Sequence, residues 1–128
     1  MNAIFIGIFV SIFCYVAVAK VKPRLGYDDS LDVFGIHGIG GLWGTLATGL
    51  FAEKAVNAAG ADGLFFGNAH QFFVQCLLFV VAGSFAVAAT WIIFKLVDAV
   101  MGMRVDAKSE TIGLDLTQHN ESAYTMLE

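Results

Sequence analysis

Charge is scarce in this chain. Charged residues make up 14% of its 128 positions, against about 25% in an ordinary soluble domain. The scarcity deepens between Val33 and Ala52, where His37 alone can carry charge. The net charge is a modest −4, and no basic stripe with interleaved aromatics is present, which excludes nucleic acid as a partner. Cysteine is almost absent. Cys14 and Cys76 each lie inside an apolar run, where a thiol behaves as a small hydrophobe and not as half of a disulfide or metal pair. His37, His70 and His119 lack the H-x₃-H or H-E-x-x-H spacing of metal ligands, so neither a metal site nor any cofactor is expected. No nucleophile–base pair appears either, and the chain does not read as an enzyme.

Apolar residues are abundant: 58% of the chain, with a mean hydropathy of +0.74, against roughly 45–50% apolar in soluble domains. They fall into three long blocks, not into short amphipathic elements. The fold class expected is all-α: a multi-pass membrane helical bundle fragment with three spans, at about 2–20, 32–52 and 70–98, and a tail. The transmembrane portion is residues 1–100 and the cytoplasmic tail 101–128. Some twenty apolar residues cross the roughly 30 Å of hydrocarbon in a bilayer. The third block exceeds that need, so it tilts or projects, with Lys95 able to snorkel to the interface. Ala17-Val18-Ala19 resembles a signal-peptide cleavage site, yet no basic residue precedes the first block and basic residues follow it, which suits a retained span. Lys20, Lys22 and Arg24 follow the first block and Arg104 and Lys108 the third, whereas only Lys54 lies between the second and third. The positive-inside rule then puts the first loop and the C-terminus in the cytoplasm, and the loop of residues 53–69 outside. That outer loop reads as a plain, Gly-punctuated connector, with His70 an interfacial helix-end residue.

The second block carries the chemistry. Asp28-Asp29-Ser30-Leu31-Asp32 precedes it. Asp29 and Asp32 are placed to cap the first N–H groups of a helix or to line a cytoplasmic mouth, and their charge suits the positive end of the helix dipole. Glycines follow at 35, 38, 40, 41, 44 and 49. Each costs an isolated helix about 1 kcal/mol relative to alanine, a cost offset only by close contact. Gly40 and Gly44 form a G-x-x-x-G pair, and Gly41 starts a second row of small residues, the pattern by which membrane helices pack closely. On an α-helix His37 shares a face with Val33, Phe34, Gly41 and Gly44. An ionisable group in a membrane span is a functional-site hypothesis. Two roles fit the residues equally: hydrogen-bonding glue to a neighbouring helix, or the wall of a narrow, mostly dry pathway.

These residues resemble a known family. Asp28-Asp29-Ser30-Leu31-Asp32-Val33-Phe34-Gly35-Ile36-His37-Gly38-Ile39-Gly40-Gly41 resembles the D-D-x-x-D-V-F-G-x-H-G-x-x-G stretch of the ammonium transporters (Amt/Mep/Rh). Gly113-Leu114-Asp115-Leu116-Thr117-Gln118-His119-Asn120-Glu121-Ser122-Ala123-Tyr124 resembles their G-L-D-x-x-x-H-G-E-x-A-Y tail motif. The resemblance covers nearly the whole chain and matches the last three of eleven membrane helices plus the tail. It implies ammonium/ammonia transport across the cell membrane, in lipid, by a homotrimer with one apolar pore per subunit. His37 matches the second histidine of a hydrogen-bonded pore pair, and Val33 lines the same pathway. Gly113, Asp115, His119, Glu121 and Tyr124 match the tail, which couples subunits near the docking place of a P-II-type regulator. Asn120 stands where the family has glycine; Asn is the next best residue for a left-handed turn. The partner histidine and the outer recruitment site belong to earlier helices, which this stretch does not contain. The alternative reading is therefore a non-transporting membrane assembly or regulatory fragment.

Overall fold

The computed structural model describes residues 2–122. They fall into two units, residues 2–85 and 86–122, and no strand occurs among them.

The first apolar block forms α1 (Asn2–Val16), continues through a π-helical turn (Ala17–Val21) and closes with α2 (Lys22–Leu25). The helix ends there: Gly26 adopts a left-handed conformation, φ 64°, and its N–H donates to the otherwise unbonded Lys22 carbonyl at 2.9 Å, the usual use of glycine after a helix. The second block begins with a π turn (Phe34–Gly38) and runs on as α3 (Ile39–Phe51). The 13 residues of α3 rise about 20 Å at 1.5 Å per residue. The third block is α4 (Ala69–Met101), 33 residues, or about 50 Å at the same rise. Asn68 starts it, its Oδ1 accepting the Gln71 N–H at 3.2 Å. Two helical stretches, Asn2–Leu25 and Ala69–Met101, are long and apolar enough to cross a membrane.

The first and second blocks pack as an antiparallel hairpin. The Trp43 Nε1–H donates to Ile6 O at 3.0 Å, and its ring lies 5.6 Å from Phe9 and 5.1 Å from Phe13. One layer down, a Cβ on Gly40 would meet Cys14 Sγ at 3.3 Å and Val10 Cγ2 at 3.4 Å. Lower still, Gly35 abuts Val18 and Ala17. The chain then turns outside α3 through a loop that folds back on the helix end: Gly63 N–H donates to Ala52 O at 2.7 Å and Lys54 N–H to Asp62 Oδ1 at 2.8 Å. This loop is more tightly bonded than a plain connector needs. The buried hydrophobic residues among those described are Ala17 and Ala47. Many large apolar side chains of the first and third blocks are exposed, as on helices whose solvent is lipid and other helices, whereas those of α3 are half-buried.

In the second unit, α5 (Ala107–Ile112) and α6 (Leu114–His119) follow α4. Gly113 joins them at φ 111°, a backbone conformation that favours glycine; a Cβ there would fall 2.6 Å from the Asp115 Oδ1 tip, which can turn aside. Asn120 closes α6 in the left-handed region, φ 52°, and Glu121 N–H donates to Asp115 O at 2.9 Å.

Candidate functional site

The candidate site is the start of the second block. Asp29 uses both carboxylate oxygens there: Oδ1 accepts the Val33 N–H and Oδ2 the Phe34 N–H, each at 2.9 Å. Two of the donors a helix start leaves unbonded are thereby met by one charge. Asp32 does different work. It sits in the left-handed region at φ 56°, a conformation Asp tolerates better than most side chains, and its carboxylate pairs with the Lys22 ammonium, which also donates to Asp29 O. The end of the first helix is thus tied to the start of the second across the intervening loop.

Val33, Phe34 and Ile36 are half or more exposed or close to it, at 50, 56 and 47%, and His37 is exposed. His37 lies inside the π turn Phe34–Gly38, with the Ile39 N–H reaching back to Phe34 O. Such turns are rare and recur at functional sites. Among the described residues the His37 imidazole, exposed, makes no hydrogen bond. The Phe34 ring covers Gly38, where a Cβ would fall 2.9 Å from Cδ2, and meets Tyr27 edge-on at 5.8 Å.

The glycines divide by face. Gly35 and Gly40 abut the first helix, and Gly49 abuts the start of α4, where a Cβ would lie 3.0 Å from Phe72 Cα. Around Gly41 and Gly44 there is open space to 4 Å. Gly40 is therefore in contact within the hairpin, whereas a Cβ on Gly41 or Gly44 would meet no other residue. Gly35 is the close-approach residue that the G-x-x-x-G spacing did not single out. Trp43 and Cys14, the latter donating its thiol to Ile36 O at 3.5 Å, are likewise contacts that become visible only with two helices in register.

His70 lies in the first turn of α4 and His119 ends α6, both exposed. Gly113, Asp115 and Glu121 meet in the bonded turn around α6; Tyr124 lies outside the described residues. Among the described residues no three His, Cys, Asp or Glu side chains gather to hold a metal ion. A cleft of about 860 Å³ opens at the other end of the hairpin, lined by Asn2, Thr48, Glu53, Asn57, Phe66 and Gln71 among others.

Two helices long and apolar enough to cross a membrane, with many large apolar side chains exposed, fit a helical membrane protein. Comparison with known sequences gives the family. The family model described as Ammonium Transporter Family matches residues 1–124, and the chain belongs to that family. It is 46% identical over 122 residues to the ammonium transporter of Bacillus subtilis, covering 95% of this chain and 30% of the relative. To ammonium transporter Amt1 of Archaeoglobus fulgidus it is 44% identical over 125 residues, 97% of this chain and 31% of the relative. To ammonium transporter 1 of Dictyostelium discoideum it is 41% identical over 119 residues, 93% of this chain and 26% of the relative. The chain thus spans about a third or less of the length of the relatives it matches.

Proposed function

We propose that this chain supplies the C-terminal part of an ammonium transporter, with His37 and Val33 on the wall of its pore. The observation that carries this is the exposed His37 imidazole in the π turn Phe34–Gly38, within a chain matched to the family over residues 1–124. The physical reasoning is simple. Moving an ammonium ion into hydrocarbon is heavily penalised, while neutral ammonia is not. A passage that is apolar apart from imidazole favours the neutral molecule and still offers it a donor and an acceptor. On this reading His37 faces a second histidine contributed by an earlier helix.

The finer assignments follow from the family resemblance and the distribution of basic residues. The protein resides in the cell membrane as a homotrimer, with the Lys22–Asp32 end of the hairpin and the C-terminus in the cytoplasm. Gly113, Asp115, His119, Glu121 and Tyr124 form a tail that a P-II-type regulator approaches. The test is a transplant: the Bacillus subtilis transporter, with its matching portion replaced by residues 1–128, is expected to take up methylammonium. Normal membrane abundance without uptake contradicts the proposal.

The open surface beside Gly41 and Gly44 supports a second statement about the chain by itself. A hairpin with His37 on an uncovered face encloses no passage. Reconstituted alone, the 128-residue chain is expected to conduct no more ammonium than empty liposomes, as the non-transporting reading requires; flux above that background overturns it.

A further inference from the structure

We propose that the crossing of the two π turns, Gly35 against Val18, positions His37, and that the Cys14 thiol clamps it. This rests on the reading of His37 as a pathway residue. The hairpin carries one π turn in each leg, Ala17–Val21 and Phe34–Gly38, and the two meet. Ala17 is one of the buried hydrophobic residues, 6% exposed, and Gly35 is buried opposite it. A Cβ on Gly35 would fall 2.7 Å from Val18 Cγ2, with Val18 N at 3.6 Å and Ala17 Cβ at 3.8 Å. Only the first of these is a collision; the other two are ordinary contacts. Glycine at 35 therefore lets one branched methyl of the first helix sit against the backbone two residues before His37.

The neighbouring carbonyl is held from the same side. Ile36 O receives the Cys14 thiol at 3.5 Å and the Ile39 N–H. Cys14 Sγ also rests against Gly40, one turn on. The wide turn that carries the imidazole is thus seated at Gly35, bonded at Ile36 and backed at Gly40 by residues of one neighbouring helix. An α-helix through the same residues would rotate His37 relative to Gly41 and Gly44, because each π turn takes up an additional residue. Gly35 and Cys14 touch no substrate on this account; they act through the direction in which His37 points.

The test reads His37 directly. The 128-residue chain, labelled with ¹⁵N-histidine and placed in lipid bilayers, gives imidazole resonances assigned to His37 by their loss in His37→Ala. Gly35→Ala is expected to move them, and Gly35→Ala with Val18→Ala to return them, since the second change removes the colliding methyl. Resonances unmoved by Gly35→Ala overturn the proposal. If Gly35→Ala fails to insert, the cysteine pair decides: Cys14→Ala is expected to move the His37 resonances and Cys14→Ser, which keeps a donor, to leave them near their original place. Equal displacement by both, or by neither, overturns the clamp.

In the transplanted transporter, at matched abundance, Gly35→Ala is expected to lower the maximal uptake rate by up to about a hundredfold, the cost a misplacement of about 1 Å can carry, with the double variant restored. An unmodified transplant that fails to transport removes the pathway reading, while the resonances still decide whether the crossing positions His37.

Discussion

Asp29 and Asp32 stand three residues apart with the same side chain and hold the helix start in unequal ways. Asp29 meets two backbone donors, and losing a capping side chain costs a helix about 1 kcal/mol. Asp32 pairs with Lys22 in a bridge whose side chains keep 26 and 31% of their surface accessible, a setting in which ion pairs contribute roughly 0–1 kcal/mol. Asparagine also tolerates the left-handed conformation at 32. Asp29→Ala is therefore expected to speed amide hydrogen exchange at Val33 and Phe34 about fivefold, the equivalent of about 1 kcal/mol, and Asp32→Asn to change it less. Equal acceleration by the two would contradict this division of labour. The acidic run was legible in the sequence as a cap. The partner of Asp32 was not, because Lys22 lies ten residues back and meets it only after Gly26 has turned the chain.

At the scale of elements, the glycine-rich helix sorts its small residues by what lies beside them. Gly41 and Gly44 have open space, so Gly41→Ala and Gly44→Ala are expected to leave the isolated chain intact or to stabilise the helix by up to about 1 kcal/mol each. Gly63 is different. A Cβ there would fall 2.7 Å from Leu50 O and 2.8 Å from Gly49 O, backbone atoms that cannot step aside. Thermal unfolding in detergent is expected to rank Gly63→Ala well below Gly41→Ala, and the reverse order would refute the assignment. The three apolar blocks and the acidic cap of the second were readable from composition and spacing alone; the Asn68 cap and the turn at Gly26 were not. The π turns were not. Over five residues an apolar run fits an i→i+4 or an i→i+5 pattern equally.

The tail element has its own pH signature. The Asp106 carboxylate accepts the Lys108 and Ser109 N–H groups at 3.0 Å and the Ser109 hydroxyl at 2.7 Å. The bond from the Ser109 backbone, first among these, holds the Asp106 carboxyl below its ordinary value. A lowered value in the folded state means the cap stabilises α5 at and above the usual carboxylate range and is lost as pH falls through the lowered value. Amide exchange at Lys108 and Ser109 is expected to accelerate in that acid window beyond its intrinsic trend. In Asp106→Asn the additional acceleration should be absent; its persistence there would assign the effect to another group.

For the whole molecule, the outward apolar faces and the uncovered His37 side of the hairpin have one physical explanation. These helices are built to be covered by lipid and by other helices, and the relatives, about three or more times the length of this stretch, are large enough to contain such helices. Family membership was legible in two short motifs, because a cap, an imidazole and a run of glycines in fixed order leave a distinctive pattern. The exposure of His37 within a π turn was not, because the width of a helical turn leaves no mark in an apolar run. The central claim is that His37 is part of the conducting wall. Methylammonium uptake by the transplanted transporter carrying His37→Ala, at membrane abundance equal to the unmodified transplant, tests it most directly. A changed uptake rate, or changed discrimination between ammonium and other monovalent cations, is the expected result; uptake and discrimination identical to the unmodified transplant would contradict the claim.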